Sequence, residues 1–259
     1  MRIPIRIIGI ATAFFWIILI VFSVSAAYSV KDLQFDFGEP QIGITSDNKI
    51  LFSLPITIIN KGYYNIGFFN ITTEVSDKEG FTITRGTTFI PIIKKGEGIT
   101  TTHNATIDVN DLLQSNQNYL FNGTELKILE VVSMRIAEVI PVQASTNLSI
   151  AWGAPLYNFT LGEIEYTVSN QTHLRAIIPI SFENHAFFDL TGSIQICMYN
   201  STDMLVDEGQ TTIEARQNSP YRGYIELYVL TAEMTETGYF EVYFLTPLFS
   251  YGPLVIPYG

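Results

Sequence analysis

The stretch that decides the fold occurs twice in the chain. Residues 33–66 read LQFDFGEPQIGITSDNKILFSLPITIINKGYYNI, and residues 157–190 read YNFTLGEIEYTVSNQTHLRAIIPISFENHAFFDL. The two stretches align without a gap, and their identities include Gly38 with Gly162, Pro55 with Pro179 and Asn60 with Asn184. A pattern of turns and apolar positions is repeated, and no reactive group is repeated with it. The repeat therefore predicts two successive copies of one structural module.

Each copy has the pattern of short β-strands. Apolar and polar residues alternate from Leu33 to Phe37, which is typical of a half-buried strand, and the turn-forming segments Ser46–Lys49 and Asn60–Gly62 bound a longer apolar strand. Short strands at this spacing favour two packed sheets. We therefore predict an all-β fold of two tandem immunoglobulin-like β-sandwich modules, residues 31–152 and 153–259, with their boundary at Trp152-Gly153-Ala154-Pro155.

The segment from residue 126 to 140 is the ambiguous part of the first module. Leu129, Val132, Ile136 and Val139 fit a helical stripe, whereas the pair Val131-Val132 favours a strand. The stripe tips the prediction towards a short helix between the modules, ending near Pro141. Ser145–Ala151 is then expected to be a strand that completes the first module.

The N-terminal segment has the composition of a membrane helix. Residues 7–30 carry no charge, and a helix of this length spans about 36 Å, enough to cross a hydrocarbon core of about 30 Å. Arg2 and Arg6 precede it, so the positive-inside rule predicts residues 1–6 in the cytoplasm, residues 7–30 as the transmembrane anchor, and the modules outside. The alternative is a cleaved signal peptide cut near Ala26, but the apolar run is longer than the usual signal-peptide core of about 7 to 15 residues.

Composition excludes one class of partner. The formal net charge is −11 with only 14 basic residues, so clustered cations that would neutralise phosphates are missing and nucleic acid binding is not expected. The single cysteine, Cys197, cannot close an intramolecular disulfide and is interpreted as a small buried residue.

Glycosylation is the strongest surface signal. The sequence contains seven Asn-x-Ser/Thr sequons, whereas chance would give on the order of two or three. All lie in the part predicted to be outside. The alternative is that β-rich chains carry many outward Thr and Asn residues. The candidate glycosylation sites are Asn70, Asn104, Asn122, Asn147, Asn158, Asn170 and Asn200.

The sequence offers no clear constellation for catalysis or metal binding. His103, His173 and His185 are scattered singly, so solvated or turn histidines are expected rather than zinc ligands. Two acidic clusters, at residues 108–111 and 203–208, could supply oxygens to calcium, although solvated turns are favoured. We predict no catalytic residue, no metal site and no cofactor, and hence a protein that is not an enzyme.

A family resemblance rests on the repeated strand and its aromatic pair. The residues that carry it are Ile56–Asn60 with Tyr63–Ile66, and Ile180–Asn184 with Phe187–Leu190. With the preceding membrane helix, this pattern resembles the group 2 late-embryogenesis-abundant family, also called the water-stress and hypersensitive-response domain. The resemblance implies an immunoglobulin-like sandwich without a catalytic site. The family usually has Pro after the Asn, where Lys61 and His185 stand here.

These features together predict a membrane-anchored, extracytoplasmic structural or interaction protein of the cell envelope. Its expected partners are the lipid bilayer, through the N-terminal helix, and another envelope protein or a glycan. The alternative is binding of a lipid or other apolar ligand in the sandwich interior or at the module junction. The candidate contact surface consists of Tyr63, Tyr64, Phe187, Phe188 and Trp152.

Overall fold

The chain consists of one long helix followed by paired β-sheets. The computed structural model describes residues 3–259, apart from the side chains of residues 3–11, 114 and 115. Helix α1 spans Ile3–Lys31, and an apolar stretch within it, Thr12–Lys31, is long enough to cross a membrane by length and composition. The arginines that predicted the orientation lie outside the described residues and side chains, so the cytoplasmic placement of residues 1–6 stays a prediction.

Sixteen strands follow the helix within the described residues, eight in each half of the chain. The first eight are β1 Leu33–Phe37, β2 Gln41–Ile44, β3 Ile50–Asn60, β4 Ile66–Ser76, β5 Thr82–Ile93, β6 Gly98–Ile107, β7 Thr124–Ile136 and β8 Ile140–Trp152. The second eight are β9 Tyr157–Leu161, β10 Glu165–Val168, β11 His173–Asn184, β12 Leu190–Asn200, β13 Leu205–Ala215, β14 Ser219–Leu230, β15 Gly238–Leu245 and β16 Ser250–Tyr258. The expected all-β class with one N-terminal helix is confirmed.

Both halves share one topology. In the first module, β3 pairs with β1, β2 and β6 in one sheet, and the second sheet has the order β5-β4-β7-β8. In the second module, β11 pairs with β9, β10 and β14, and the second sheet has the order β13-β12-β15-β16. Every strand pair of the first module thus has a counterpart in the second, and all pairs are antiparallel.

Just after the aligned stretch, the first copy has one residue in strand β4 that the second copy lacks in strand β12. A β-bulge in β4 accommodates this extra residue. The pairing of β4 shifts between Gly67 and Asn70, where Phe68 adopts a positive φ of 53°. The extra residue lets both Ile66 and Phe69 point into the core, and it turns Phe68 outwards over the guanidinium of Arg135. Strand β12 has no such bulge at the corresponding place.

The segment predicted as a helix is a β-hairpin. Residues 124–152 form β7 and β8, joined by a tight turn in which Ala137 and Glu138 both have positive φ. The helix expectation for residues 126–140 is wrong because β7 pairs with the central strand β4, and this tertiary pairing outweighs a local helical stripe. The expected strand Ser145–Ala151 is part of β8. A short helix does occur before the hairpin, at α2 Val109–Ser115.

The repeated asparagine is the structural centre of each module. Asn60 and Asn184 end the inward face of β3 and β11 and are completely buried. Each Nδ2 donates to the carbonyl four residues later, Tyr64 or Phe188 at 2.9 Å, and to the end of the opposite sheet at Ile93 or Ala215. Each Oδ1 accepts the backbone N–H two residues later, at 3.1 and 3.0 Å. One side chain therefore closes a loop and joins two sheets.

Replacing Asn184 with Ala should destabilise the protein strongly. The change leaves the buried carbonyls of Phe188 and Ala215 without their donor, which we expect to lower the free energy of unfolding by about 3 kcal/mol. Urea unfolding of the detergent-solubilised chain, followed by circular dichroism, measures this. Asn104→Ala, at an exposed position of β6, is the control and should change stability by less than about 0.5 kcal/mol. Equal effects of the two substitutions would contradict the assigned role.

Candidate functional site

The loop after the buried asparagine holds the segment that precedes its module. We call residues 60–64 and 184–188 the docking loops. In the first docking loop, the N–H of Tyr63 donates to Ser29 Oγ of helix α1 at 2.9 Å, and Tyr64 Oη lies 2.7 Å from Ser25 Oγ. Ser29 and Ala26 of the helix are almost fully buried there. The C-terminal end of α1 is thus packed into the first module.

The second docking loop holds the linker from the first module. The ring of Phe187 lies edge-on to Trp152 and Phe52, with centroid distances of 5.9 and 5.7 Å. Gly153 lies so close to the backbone of His185 that a Cβ at this glycine would overlap the carbonyl group. The same loop position therefore forms the joint between helix and module and the joint between the two modules.

The residue after each asparagine contributes its backbone to these joints. Lys61 donates its N–H to the carbonyl of Asp32, and His185 donates its N–H to the carbonyl of Ala154, both at 3.0 Å. Proline has no backbone N–H. A proline at either position would therefore remove the N–H that binds the incoming segment.

The module junction is filled by a segment that only the first module contains. Helix α2 and a 3₁₀ turn at Gln117–Leu120 lie between β6 and β7, and Leu112 and Leu120 are completely buried in the junction core. The carbonyl of Tyr119 accepts from the indole Nε1 of Trp152 at 2.9 Å. The second module and the adjoining part of the first consequently share one hydrophobic core, while the residues around Ile58 and Phe69, next to helix α1, form a separate core.

The candidate contact surface is mostly interior. Trp152 and Phe188 are buried, Phe187 is half-buried between them and Phe52, and Tyr64 packs against Phe22 of the helix. Tyr63 is the exception, with 59% of its surface exposed. These five residues therefore lie at the two internal joints, and Tyr63 alone among them presents a large free face.

A polar layer lies between the sheets of the first module, and sequence reasoning missed it. His103 is buried, with Nε2 2.7 Å from Thr73 Oγ1 and Nδ1 2.9 Å from Thr88 Oγ1. Thr73 donates to the carboxylate of Glu130, whose Oε1 lies 4.0 Å from His103 Nε2. The expectation of a solvated or turn histidine is therefore wrong for His103, because β6 directs this side chain inwards.

The direction of donation in the polar layer matters for its chemistry. Because the hydroxyl of Thr73 donates to Glu130, it accepts from His103, which places the proton of the neutral ring on Nε2. A nucleophilic hydroxyl would instead donate to the histidine. Burial lowers the pKa of His103, and the nearby Glu130 carboxylate opposes part of that change. The layer is thus a satisfied hydrogen-bond network around a neutral histidine.

The second module provides an internal comparison for the polar layer. By strand register, Thr73, His103 and Glu130 correspond to Ile196, Ile225 and Val242. All three of these apolar residues are buried. The same topology therefore accepts either a polar or an apolar layer at this level of the sandwich. The sequence signal that could have revealed the polar layer is this replacement of three apolar residues in one copy by three polar residues in the other.

The sequons differ in exposure. Asn104, Asn122, Asn147, Asn158 and Asn170 are exposed, and Asn70 is half-buried with its Nδ2 3.3 Å from Thr72 Oγ1. Asn200 is buried, its Nδ2 donates to the carbonyl of Glu233, and its Oδ1 accepts from Thr202 and Met204. Asp77 holds the corresponding turn of the first module in the same way. Burial and these bonds favour a structural role for Asn200.

The other polar candidates are engaged in local structure. Asp108 caps α2 and lies 3.5 Å from Lys49, and Asp207 accepts from the N–H of Tyr228. Among the described residues, no group of three or more His, Cys, Asp or Glu side chains is placed to hold a metal ion. Cys197 is buried, and burial raises the pKa of its thiol.

An apolar groove runs along the side of the second module. Its volume is about 440 Å³, and it lies between β9, β10 and the C-terminal strand β16. Leu161, Ile164 and Tyr166 face Ile256 and Tyr258 across it. The groove is lined by residues of the second module alone and is therefore not the expected ligand position at the module junction, where Trp152 is packed with almost no free surface.

Comparison with known proteins assigns no family. No protein-family model matches the chain, and no curated protein sequence matches it. Among solved structures, a red sea bream transglutaminase matches with a TM-score of 0.29 and 12% identity over 88% of this chain and 31% of that one. A structure described as pT26-6p matches with a TM-score of 0.32 and 9% identity over 91% of this chain and 66% of that one. The chain thus spans less than two thirds of either protein, and at these scores the likeness says nothing of function.

Substitution of two glycines, one in a crowded and one in an open position, tests the packing of the second docking loop at the module junction. Gly153→Ala places a methyl group against the His185 carbonyl and should open the module junction, whereas Gly43→Ala meets no atom within 4 Å and should be silent. Acrylamide quenching of Trp152 fluorescence, in a Trp16→Phe background, reports the opening. We expect clearly stronger quenching for Gly153→Ala only. Unchanged quenching would show that the junction is looser than described.

The polar layer predicts acid sensitivity of the first module. His103 has a folded-state pKa below its unfolded value of about 6.5, so its neutral form contributes stability above that pH, and this stability is lost as the pH falls towards the folded pKa. Lowering the pH from 7.5 to 5.5 should therefore lower the free energy of unfolding, as measured by urea unfolding.

The matched control copies the second module. The variant Thr73→Ile, His103→Ile, Glu130→Val installs the apolar residues found at the corresponding positions. It should fold and lose that part of the acid sensitivity. An identical pH profile for the variant and the natural chain would assign the sensitivity to other groups.

Proposed function

We propose that this protein is a membrane-anchored, non-catalytic structural or interaction protein of the cell envelope, with both modules on the extracytoplasmic side. The observation that carries the proposal is the joint between helix α1 and the first docking loop. A long apolar helix has its C-terminal end packed into a folded module, and the same joint then connects that module to the next. Helix, first module and second module form one continuous stalk.

The joint supports an uncleaved anchor over a signal peptide. The small residues at the possible cleavage positions include Ser25 and Ala26, and these are the residues that contact Tyr64 and the core of the first module. Removal of the helix before Ala27 would expose that part of the core. On the other side, large apolar residues such as Phe14, Trp16 and Ile18 are exposed, as expected for side chains that face lipid.

The assignment as a non-catalytic protein draws support from the arrangement of the polar groups. The cluster that joins His103 to the Glu130 carboxylate and to threonine hydroxyls is buried between sheets, with its donors and acceptors paired to each other. A catalytic group must reach its substrate. The five exposed sequons would distribute glycans along the stalk, and another envelope protein or a glycan is the partner that we propose for its surface.

The second candidate function is binding of a lipid or other apolar ligand. The groove between β9, β10 and β16 favours it, because a cavity of about 440 Å³ lined largely by apolar side chains suits a small hydrophobic molecule. Native mass spectrometry of the purified chain distinguishes this function: a bound small molecule supports it, and its loss on Ile256→Glu would place the ligand in the groove.

The anchored topology gives a direct prediction. The full chain should resist carbonate extraction from membranes, and protease added to intact cells should digest the modules, since both would lie outside. Deletion of residues 1–24 should release the modules from the membrane fraction. Release of the full-length chain by carbonate would contradict the anchor, and protection of the modules in intact cells would contradict their placement.

A further inference from the structure

The end of the first module that faces the membrane differs from its counterpart in the second module. This end is formed by the first docking loop, by the turns at residues 94–97 and 137–139, and by the C-terminal end of helix α1. The turns are tied together through Asn65, which accepts from the N–H of Lys95 at 3.1 Å and donates to Glu138 at 3.2 Å. They therefore form one rigid surface, from which the helix leaves.

Lysines are concentrated on this surface. Lys31, Lys61, Lys94 and Lys95 are exposed, and among the described residues none of their ammonium groups lies in an ion pair. Every lysine of the chain lies between residues 31 and 127, and residues 153–259 carry 12 acidic but only three basic residues. Four of the seven lysines of an otherwise acidic chain thus lie at the end of the first module from which the helix leaves.

Two largely exposed side chains lie at the same end as the lysines. Tyr63 and Val139 have 59% and 69% of their surfaces exposed. The acidic groups of the same end are Asp32, Glu97 and Glu138, of which Glu97 accepts the N–H of Lys94. Tyrosine is enriched at membrane interfaces, where its ring sits at the level of the headgroups.

In the second module, the corresponding end is covered by the first module. There His185 stands for Lys61, Arg216 for Lys94, Gln217 for Lys95 and Phe187 for Tyr63, and the turn between β15 and β16 carries Leu248. Phe187 packs against the first module, and Leu248 is buried. Among the described residues, the homologous end of the first module contacts only the helix, and it carries four lysines and the exposed ring of Tyr63 instead.

We propose that this end of the first module is a lipid-binding platform that contacts anionic headgroups through Lys31, Lys61, Lys94 and Lys95, with Tyr63 and Val139 entering the interface. The inference rests on the proposed membrane anchor and adds a second contact to it. Basic clusters next to a membrane helix attract anionic lipid, and this attraction falls as salt screens it. The platform would hold the stalk upright on the bilayer, because a single helix fixes one point and the platform fixes a surface.

The full chain in lipid nanodiscs allows a direct test. One set of discs contains only zwitterionic lipid, and in the other about a third of the lipid is anionic. Lysine acetylation is followed for each residue by peptide mass spectrometry. We expect Lys61, Lys94 and Lys95 to react about threefold or more slowly in anionic discs, and high salt to remove the difference. Lys78 and Lys127, at other surfaces, should react equally in both.

A matched pair of variants supplies the second readout. Lys61→Gln/Lys94→Gln/Lys95→Gln should abolish the lipid-dependent protection of residues 61–65 and 94–97 against hydrogen exchange. Lys49→Gln/Lys78→Gln/Lys127→Gln makes the same charge change elsewhere and should retain it. A chain that enters the discs but shows equal lysine reactivity and exchange in both lipids overturns the platform alone. A chain that does not enter discs at all overturns the anchor.

Discussion

The buried asparagine at the end of β3 and β11 is the constraint on which the rest of the structure depends. An amide side chain has two donors and an acceptor, and here they bind the loop that follows and the end of the facing sheet, within the buried interior. That geometry fixes the loop that follows, and the fixed loop accepts the preceding segment. The stacking of helix, first module and second module is therefore a consequence of one side chain used twice.

The use of one joint for two neighbours shows how a duplicated module adapts. In the first copy the docking loop meets a helix and uses the hydroxyls of Ser25, Ser29 and Tyr64. In the second copy it meets a folded module and uses the rings of Trp152, Phe187 and Phe188. The backbone framework stays the same, because the asparagine sets it, while the side chains of the aromatic pair fit the neighbour.

The two modules have the same topology, but their interiors differ in polarity at one level of the sandwich. A polar layer around His103 in the first module corresponds to isoleucine and valine in the second. Such a layer is acceptable because each donor has an acceptor within the cluster, so that no buried polar group is left alone. It gives the first module a titratable group in its core, which the second module lacks at this position.

The sequence by itself determined the repeat with its paired asparagines, the strand character of both copies and the apolar helix, since these follow from local periodicity and from residue identity. It did not determine the hairpin at residues 124–152, because the choice between helix and strand there was made by pairing with β4. It also did not reveal the cluster of His103, Thr73 and Glu130, which are brought together from strands far apart in the chain. The clustering of the lysines at the membrane-facing end likewise became visible only in three dimensions, because the turns that carry them are separated in sequence and joined by the bonds of Asn65.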